Sequence, residues 1–258
     1  IGTAAPTEIE CHEAKHHFVH FLDPSETYSA GDFERDVTLF LSEFFKTHNV
    51  AVMVGGSGLY VKGVVDGFDH LPFDETIRKE LNNRVESNGL HSLVEELTTL
   101  DPEMASNMDL HNTQRVVRAL EVCLSSGKTM TSFLNNTSTE RDFDILQVGL
   151  EMPRAELQER IALRTQRMID AGWVAETEKL ASFSQYNSLR TVGYNQLFAY
   201  LKKECSLEEA QKKIIIKTRQ FAKRQMTWFK KDKRVVWFES KNENEALAYC
   251  LDFASNYE

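Results

Sequence analysis

The spacing of apolar residues changes character along the chain. Residues 16–22, HHFVHFL, form a short run closed by the turn signal Asp23-Pro24-Ser25, and this predicts a strand. The next stretch sets Phe33, Val37, Phe40, Leu41 and Phe44 three or four residues apart, which is one face of a helix. VAVMV at 50–54 is a continuous apolar run of strand length, and GGSGLYVKGVV follows it at once with glycines and a second helical pattern. A strand–helix–strand–helix order predicts an α/β fold with a parallel sheet. From residue 74 the strand signals stop. DETIRKELNNRVESNG opens on a capping acid and ends at Gly89, LHSLVEELTTLDPEMA repeats the style, and NTQRVVRALEVCLSSG ends at Gly127, so this stretch predicts helices only. FDILQVGLEM at 143–152 returns to strand character. Helices are then predicted over 154–171, 173–183, 192–203 and 206 to about 231, with a last strand at 234–239 and a terminal helix. The expected organisation is a core in two parts, 1–73 and 141–258, interrupted by a helical subdomain at 74–140.

Charge sharpens this picture. The formal net charge is −9, yet residues 212–234 hold ten Lys or Arg and one acid, Asp232, so that window carries +9 against −18 elsewhere. A surface helix ordinarily mixes signs. A run of one sign with Phe221 and Trp228 interleaved suits a phosphate-rich ligand, because cations that neutralise phosphates supply most non-specific nucleic-acid affinity. The remaining composition, 41% hydrophobic and 27% charged over 258 residues, is that of a water-soluble globular chain able to bury a sizeable core. No apolar run approaches the roughly 20 residues that span a bilayer. Cys11, Cys123, Cys205 and Cys250 lie far apart without CxxC spacing, which argues against a disulfide scaffold or a four-cysteine zinc site and makes a reducing, cytoplasmic setting the expectation. The chain opens on Ile1 with no signal-peptide pattern, and it is expected to have lost its start.

Three further stretches carry candidate chemistry. MVGGSGLY offers glycines between a strand and a helix; it reads either as a phosphate or substrate contact or as a tight turn with Ser57 as a cap. CHEAKHHFVH gathers Cys11, His12, His16, His17 and His20, but a strand would send His16 and His17 to opposite faces, so no metal site is expected. In NTQRVVRALE, helical spacing puts Gln114 and Arg118 on one face beside Arg115, either as a solvated face or as groups suited to phosphate and adenine edges.

Taken in order, IGTAAP, HHFVHFLDPSETYSAGDFERD, VGGSGLY, LPFDETIR, DLHNTQRVVRALEV, SLRTVGY and TRQFAKRQMTW resemble the tRNA dimethylallyltransferases, and the likeness runs from residue 1 to about 238. The resemblance implies a P-loop-type α/β parallel-sheet core with an inserted all-helical subdomain. It also implies transfer of a dimethylallyl group from its diphosphate, usually with Mg²⁺, to N6 of the adenosine 3′ to the anticodon, adenosine-37. The protein is then expected to be cytoplasmic and monomeric, with tRNA and dimethylallyl diphosphate as partners and no membrane.

Ser57 stands where the family has Thr in a GGTG turn, a position implied to lie beside the reacting amine and the tRNA. The resemblance makes Arg160 and Arg164 the source of a diphosphate clamp. It assigns tRNA contacts to Arg78, Gln114, Arg115, Arg118, Arg190, Lys223, Arg224, Gln225 and Trp228. Departures are specific. The family's GxTxxGKT loop, and the DS segment whose Asp serves as general base, are not in this sequence, and neither Asp23 nor Asp32 has the pattern to replace that Asp. Ala5 stands at a family Lys and Asn195 at a common basic position. A catalytically inactive tRNA-binding fragment and a relative of P-loop nucleotide kinases are the alternatives.

Overall fold

Local capping pairs set the start of several helices. Thr7 and Glu10 form a reciprocal capping box ahead of α1 (Glu8–Glu13), and Ser29 and Asp32 form another ahead of α2 (Ala30–Phe44). Each box satisfies N–H groups that a helix start leaves without an internal partner. The computed structural model describes residues 1–3, 5–134 and 139–257. After α2 come α3 (Gly58–Asp66), α4 (Glu75–Asn88), α5 (His91–Leu100), α6 (Pro102–Asn107) and α7 (Thr113–Ser126). The remaining elements are β1 (Gln147–Glu151), α8 (Arg154–Asp170), α9 (Trp173–Lys179), α10 (Tyr194–Leu201), α11 (Leu207–Phe229), β2 (Val235–Glu239) and α12 (Glu243–Ala254). Among the described residues no helix is long and apolar enough to cross a membrane. The chain divides into two units, residues 1–65 with 142–258, and residues 66–141.

In the first unit β1 and β2 run parallel, with Gln147 opposite Val235, Gly149 opposite Trp237 and Glu151 opposite Glu239. Strands joined in parallel need a long crossover, and α8 to α11 supply it. The core beside that crossover is built on Trp173, Leu197 and Ile214. A second apolar group is aromatic: the Phe18 ring meets Phe33 and Phe40 of α2 edge-on at 5.8 and 5.7 Å, and Phe33 stacks on Tyr60 of α3 at 4.8 Å.

In the second unit α4, α5 and α7 bury Leu81, Leu93, Leu97, Val116 and Leu120. Thr139 N–H donates to the Asp66 carbonyl at 2.7 Å, so the two ends of the unit meet, as an insertion requires. Two carboxylates lie inside, Asp101 and Glu121, and the second joins separate elements. The Glu121 side chain is fully buried and accepts from Arg78 Nε (3.0 Å), Arg118 Nη1 (2.8 Å) and the Asp74 N–H (3.1 Å). Arg118 also donates to the Pro72 carbonyl at 2.9 Å, and Arg78 lies over the Phe73 ring at 5.4 Å. Burial alone pushes the Glu121 carboxyl upward, but the two guanidiniums and the Asp74 N–H outweigh it and hold the group below its ordinary range. A single carboxylate thereby ties α4, α7 and the segment 71–74 together.

Two strand expectations fail. Residues 16–22 form no strand: Phe18 and His20 have φ of 60° and 50°, left-handed backbone that a strand does not tolerate, and the Phe18 ring serves the aromatic group instead. Residues 50–54 form no strand, with Val52 and Val54 83% and 89% exposed, because among the described residues the sheet contains only β1 and β2. An apolar run specifies a strand only where a neighbour supplies the ladder. The helix expected at 173–183 stops at Lys179, and a 3₁₀ turn takes residues 181–183. α1 was not expected, although Thr7-x-x-Glu10 carries the capping signature.

Glu121→Gln keeps the shape but weakens both guanidinium contacts. Unfolding followed by urea is expected to show a loss of roughly 1–3 kcal/mol at neutral pH. A carboxyl depressed on folding stabilises above its unfolded pKa, and that contribution disappears as pH falls through the folded value. The wild-type chain is therefore expected to lose stability below about pH 4.5, and Glu121→Gln to show a shallower loss over the same range.

Candidate functional site

The glycine turn is held from outside. Gln225 of α11 donates its Nε2 to the Gly56 carbonyl at 2.8 Å. A Cβ on Gly56 would lie 2.1 Å from that same nitrogen, and one on Gly58 would lie 2.3 Å from the Trp228 indole. Glycine at both positions is what lets the turn and the helix approach so closely. Ser57 sits between them, exposed, and its carbonyl accepts from Val61 N–H at 3.0 Å to begin α3. Among the described residues its hydroxyl has no hydrogen-bond partner, so it does not cap α3 and is available to a ligand.

α11 also carries the basic run. Lys212 pairs with Glu208 at 2.7 Å, and beyond the helix Lys230 pairs with Glu151 at 2.6 Å. Asp232, the one acid of the run, is claimed by Arg234, whose guanidinium holds its carboxyl far below the usual range. Lys213 faces Glu209 one turn earlier, whereas Lys217, Arg219, Lys223, Lys231 and Lys233 are exposed and make no ion pair among the described residues, and Arg224 lies over the Phe221 ring at 5.7 Å. Uncompensated cations of this kind make a positive surface that attracts a polyanion.

The other sequence-derived positions fall into distinct settings. Arg160 and Arg164 are exposed one turn apart on α8, and Arg190 is exposed at the end of a 3₁₀ turn at 187–189. No hydrogen bond or ion pair among the described residues ties these three to the glycine turn. The neighbouring Gly193-Tyr194 pair is anchored inward: Gly193 has φ of 104° and faces the Trp173 ring, and Tyr194 Oη donates to Glu176 at 2.6 Å. Burial and then the Glu176 carboxylate push the Tyr194 phenol well up. Gln114 and Arg115 are exposed in the first turn of α7. Arg78 and Arg118 instead direct their heads at Glu121 and keep 34% and 28% of their side chains exposed.

The structure thus brings Ser57, Gln225 and Trp228 together and, separately, Arg78 and Arg118. Glu121 was not anticipated as the partner of the latter pair, although it stands three residues after Arg118 in the same helix. Among the described residues no group of three or more His, Cys, Asp or Glu side chains is placed to hold a metal. Asp32 is engaged by Ser29 and Arg35, and Asp23 by Ser25.

Residues 1–232 match the family model described as IPP transferase. A tRNA dimethylallyltransferase of Christiangramia forsetii is 44% identical over 240 residues, covering 93% of this chain and 80% of its own. The tRNA dimethylallyltransferase 1 of Bacteroides fragilis is 40% identical over 250 residues, covering 96% and 83%. Among solved structures, the tRNA isopentenylpyrophosphate transferase of Bacillus halodurans superposes with a TM-score of 0.69 at 30% identity, covering 99% of this chain and 84% of that one. A eukaryotic dimethylallyltransferase acting on tRNA reaches a TM-score of 0.79 at 20% identity, a likeness of fold. The P-loop-type α/β fold expected from the sequence stands, and the chain belongs to the IPP transferase family.

Proposed function

We propose that this protein transfers a dimethylallyl group from dimethylallyl diphosphate to N6 of adenosine-37, next to the anticodon of tRNA. The names of its relatives support the prenyl group and the tRNA. The observation that carries the reading to this chain is the free Ser57 hydroxyl in a turn seated on a helix of unpaired cations.

The chemistry asks for three things. The diphosphate leaves with growing negative charge, and cations aimed at it lower the barrier; Arg160 and Arg164, one turn apart and unpartnered, are the clamp proposed for it. An adenine stacked in the anticodon loop has to be turned out to meet the allyl carbon. The exocyclic amine is a weak nucleophile: as its N–C bond forms and the allyl C–O bond breaks it gives up one proton, which the departing diphosphate can take, while the Ser57 hydroxyl can accept the other N6–H and orient the amine. In the first unit the anticodon stem-loop is proposed to lie along Lys223 and Arg224, with Arg190 as a further contact; in the second unit, taken by itself, Gln114 and Arg115 are proposed RNA contacts. Arg78 and Arg118 reach RNA only with the exposed part of heads already bound to Glu121. The proposed setting is the cytoplasm and the proposed state a monomer. Magnesium is the proposed companion of the diphosphate, whose own oxygens would supply most of its ligands, and no step above runs through it.

Incubating the intact protein with tRNA and dimethylallyl diphosphate is expected to yield prenylated adenosine on nucleoside analysis; its absence overturns the reading. Ser57→Ala is expected to lower kcat about tenfold or more while leaving tRNA affinity near wild type. Lys223→Glu with Arg224→Glu is expected to weaken tRNA binding and to reduce the logarithmic salt slope by roughly 1.5, measured by filter binding across a salt series.

A further inference from the structure

The turn bearing Ser57 has little support of its own. A Cβ at Gly55 would find no atom within 4 Å, and the preceding residues 50–54 are exposed. What fixes the turn is α11, through the Gln225–Gly56 hydrogen bond and the indole of Trp228 against Gly58. We infer that Gln225 is a positioning residue for the transfer reaction: its side-chain amide holds the 55–58 turn so that the Ser57 hydroxyl keeps one location relative to RNA gripped by the same helix. This rests on the prenyl-transfer reading above.

The register of α11 makes the link. Gln225 and Trp228 are three residues apart and share a face, which continues the inward side marked by buried Ile214 and half-buried Thr218. Lys223 and Arg224 immediately precede Gln225 yet stay exposed on the rest of the circumference. One rigid element therefore carries both the cations proposed to hold phosphates and the group that holds the reactive turn. An RNA docked on α11 is referenced to Ser57 through a single hydrogen bond and a single aromatic contact. The family resemblance puts Gln225 among the RNA contacts, but its amide nitrogen is already bound to Gly56.

The alignment matters because transfer needs the amine and the allyl carbon within near-attack distance, and a displacement of about 1 Å lowers such rates about a hundredfold. A loose turn leaves RNA binding intact and the reacting amine badly oriented. This separates a positioning role from an RNA contact, which acts on affinity, and from a general loss of folding, which lowers both.

The test uses the intact protein with Gln225→Ala and Gln225→Met, the second keeping the bulk but not the donor. The readouts are kcat at saturating tRNA, tRNA affinity and its salt dependence, and amide hydrogen exchange over residues 55–60. Both variants are expected to lose about ten- to a hundredfold in kcat with tRNA affinity within about twofold of wild type. Exchange at residues 56–58 is expected to be faster in both. Weaker tRNA binding with unchanged kcat overturns the inference in favour of a direct RNA contact, and unchanged exchange overturns it whatever the kinetics. Should the wild-type protein show no prenyl transfer, faster exchange in the variants still supports the hold on the turn, and only the transfer reading falls.

Discussion

The close approach of α11 to the GGSG turn is the constraint from which the site follows. Two glycines remove the side chains that would keep the helix away, and Gln225 and Trp228 occupy the space they leave. The contact is short-range and has little tolerance: a single methyl at Gly56 or Gly58 would overlap α11 side chains at 2.1 or 2.3 Å. Ser57 owes its exposure to that arrangement. Its flanking residues are fixed, its own hydroxyl is not used by the fold, and α3 begins without it.

How much of this could be read from the sequence depends on whether the determinant was local. Helices whose ends carry their own signals, such as α4 between Asp74 and Gly89 or α7 between Asn112 and Gly127, stand within a residue or two of where the pattern puts them. Strands depend on partners. VAVMV at 50–54 has the composition of a buried strand and remains exposed, while QVGLE and VVWFE, no more apolar, become strands because each is the other's neighbour. HHFVHFL fails for another reason: its aromatic rings gain more by clustering with α2 than by alternating across a sheet, and Phe18 takes a left-handed backbone to allow it.

The candidate site divides in the same way. Charge is local, so the basic run was legible as a surface for phosphates. The direction of each head group was not. Arg78 and Arg118 look alike to Arg160 and Arg164 in sequence, yet the first pair turns onto buried Glu121 and the second stays in water. What separates them is a carboxylate that burial alone leaves unstable, which recruits two guanidiniums and an N–H in compensation. The residues are thus occupied in organising the helical unit, and any RNA contact they make is through geometry already set by Glu121.

Segregated charge also resolves how an acidic protein can hold a polyanion. A net charge of −9 says little about the surface met by RNA, because in physiological salt exposed charges more than roughly 8 Å apart are largely screened from one another. A phosphate within that range of the later turns of α11 would meet Lys217, Arg219, Lys223 and Arg224, none of them in an ion pair among the described residues. Acidic surface farther away does not cancel this attraction; it makes other docking positions less favourable. On the proposed reading orientation is thereby selected along with affinity, because the helix proposed to grip the RNA also holds the turn that bears Ser57.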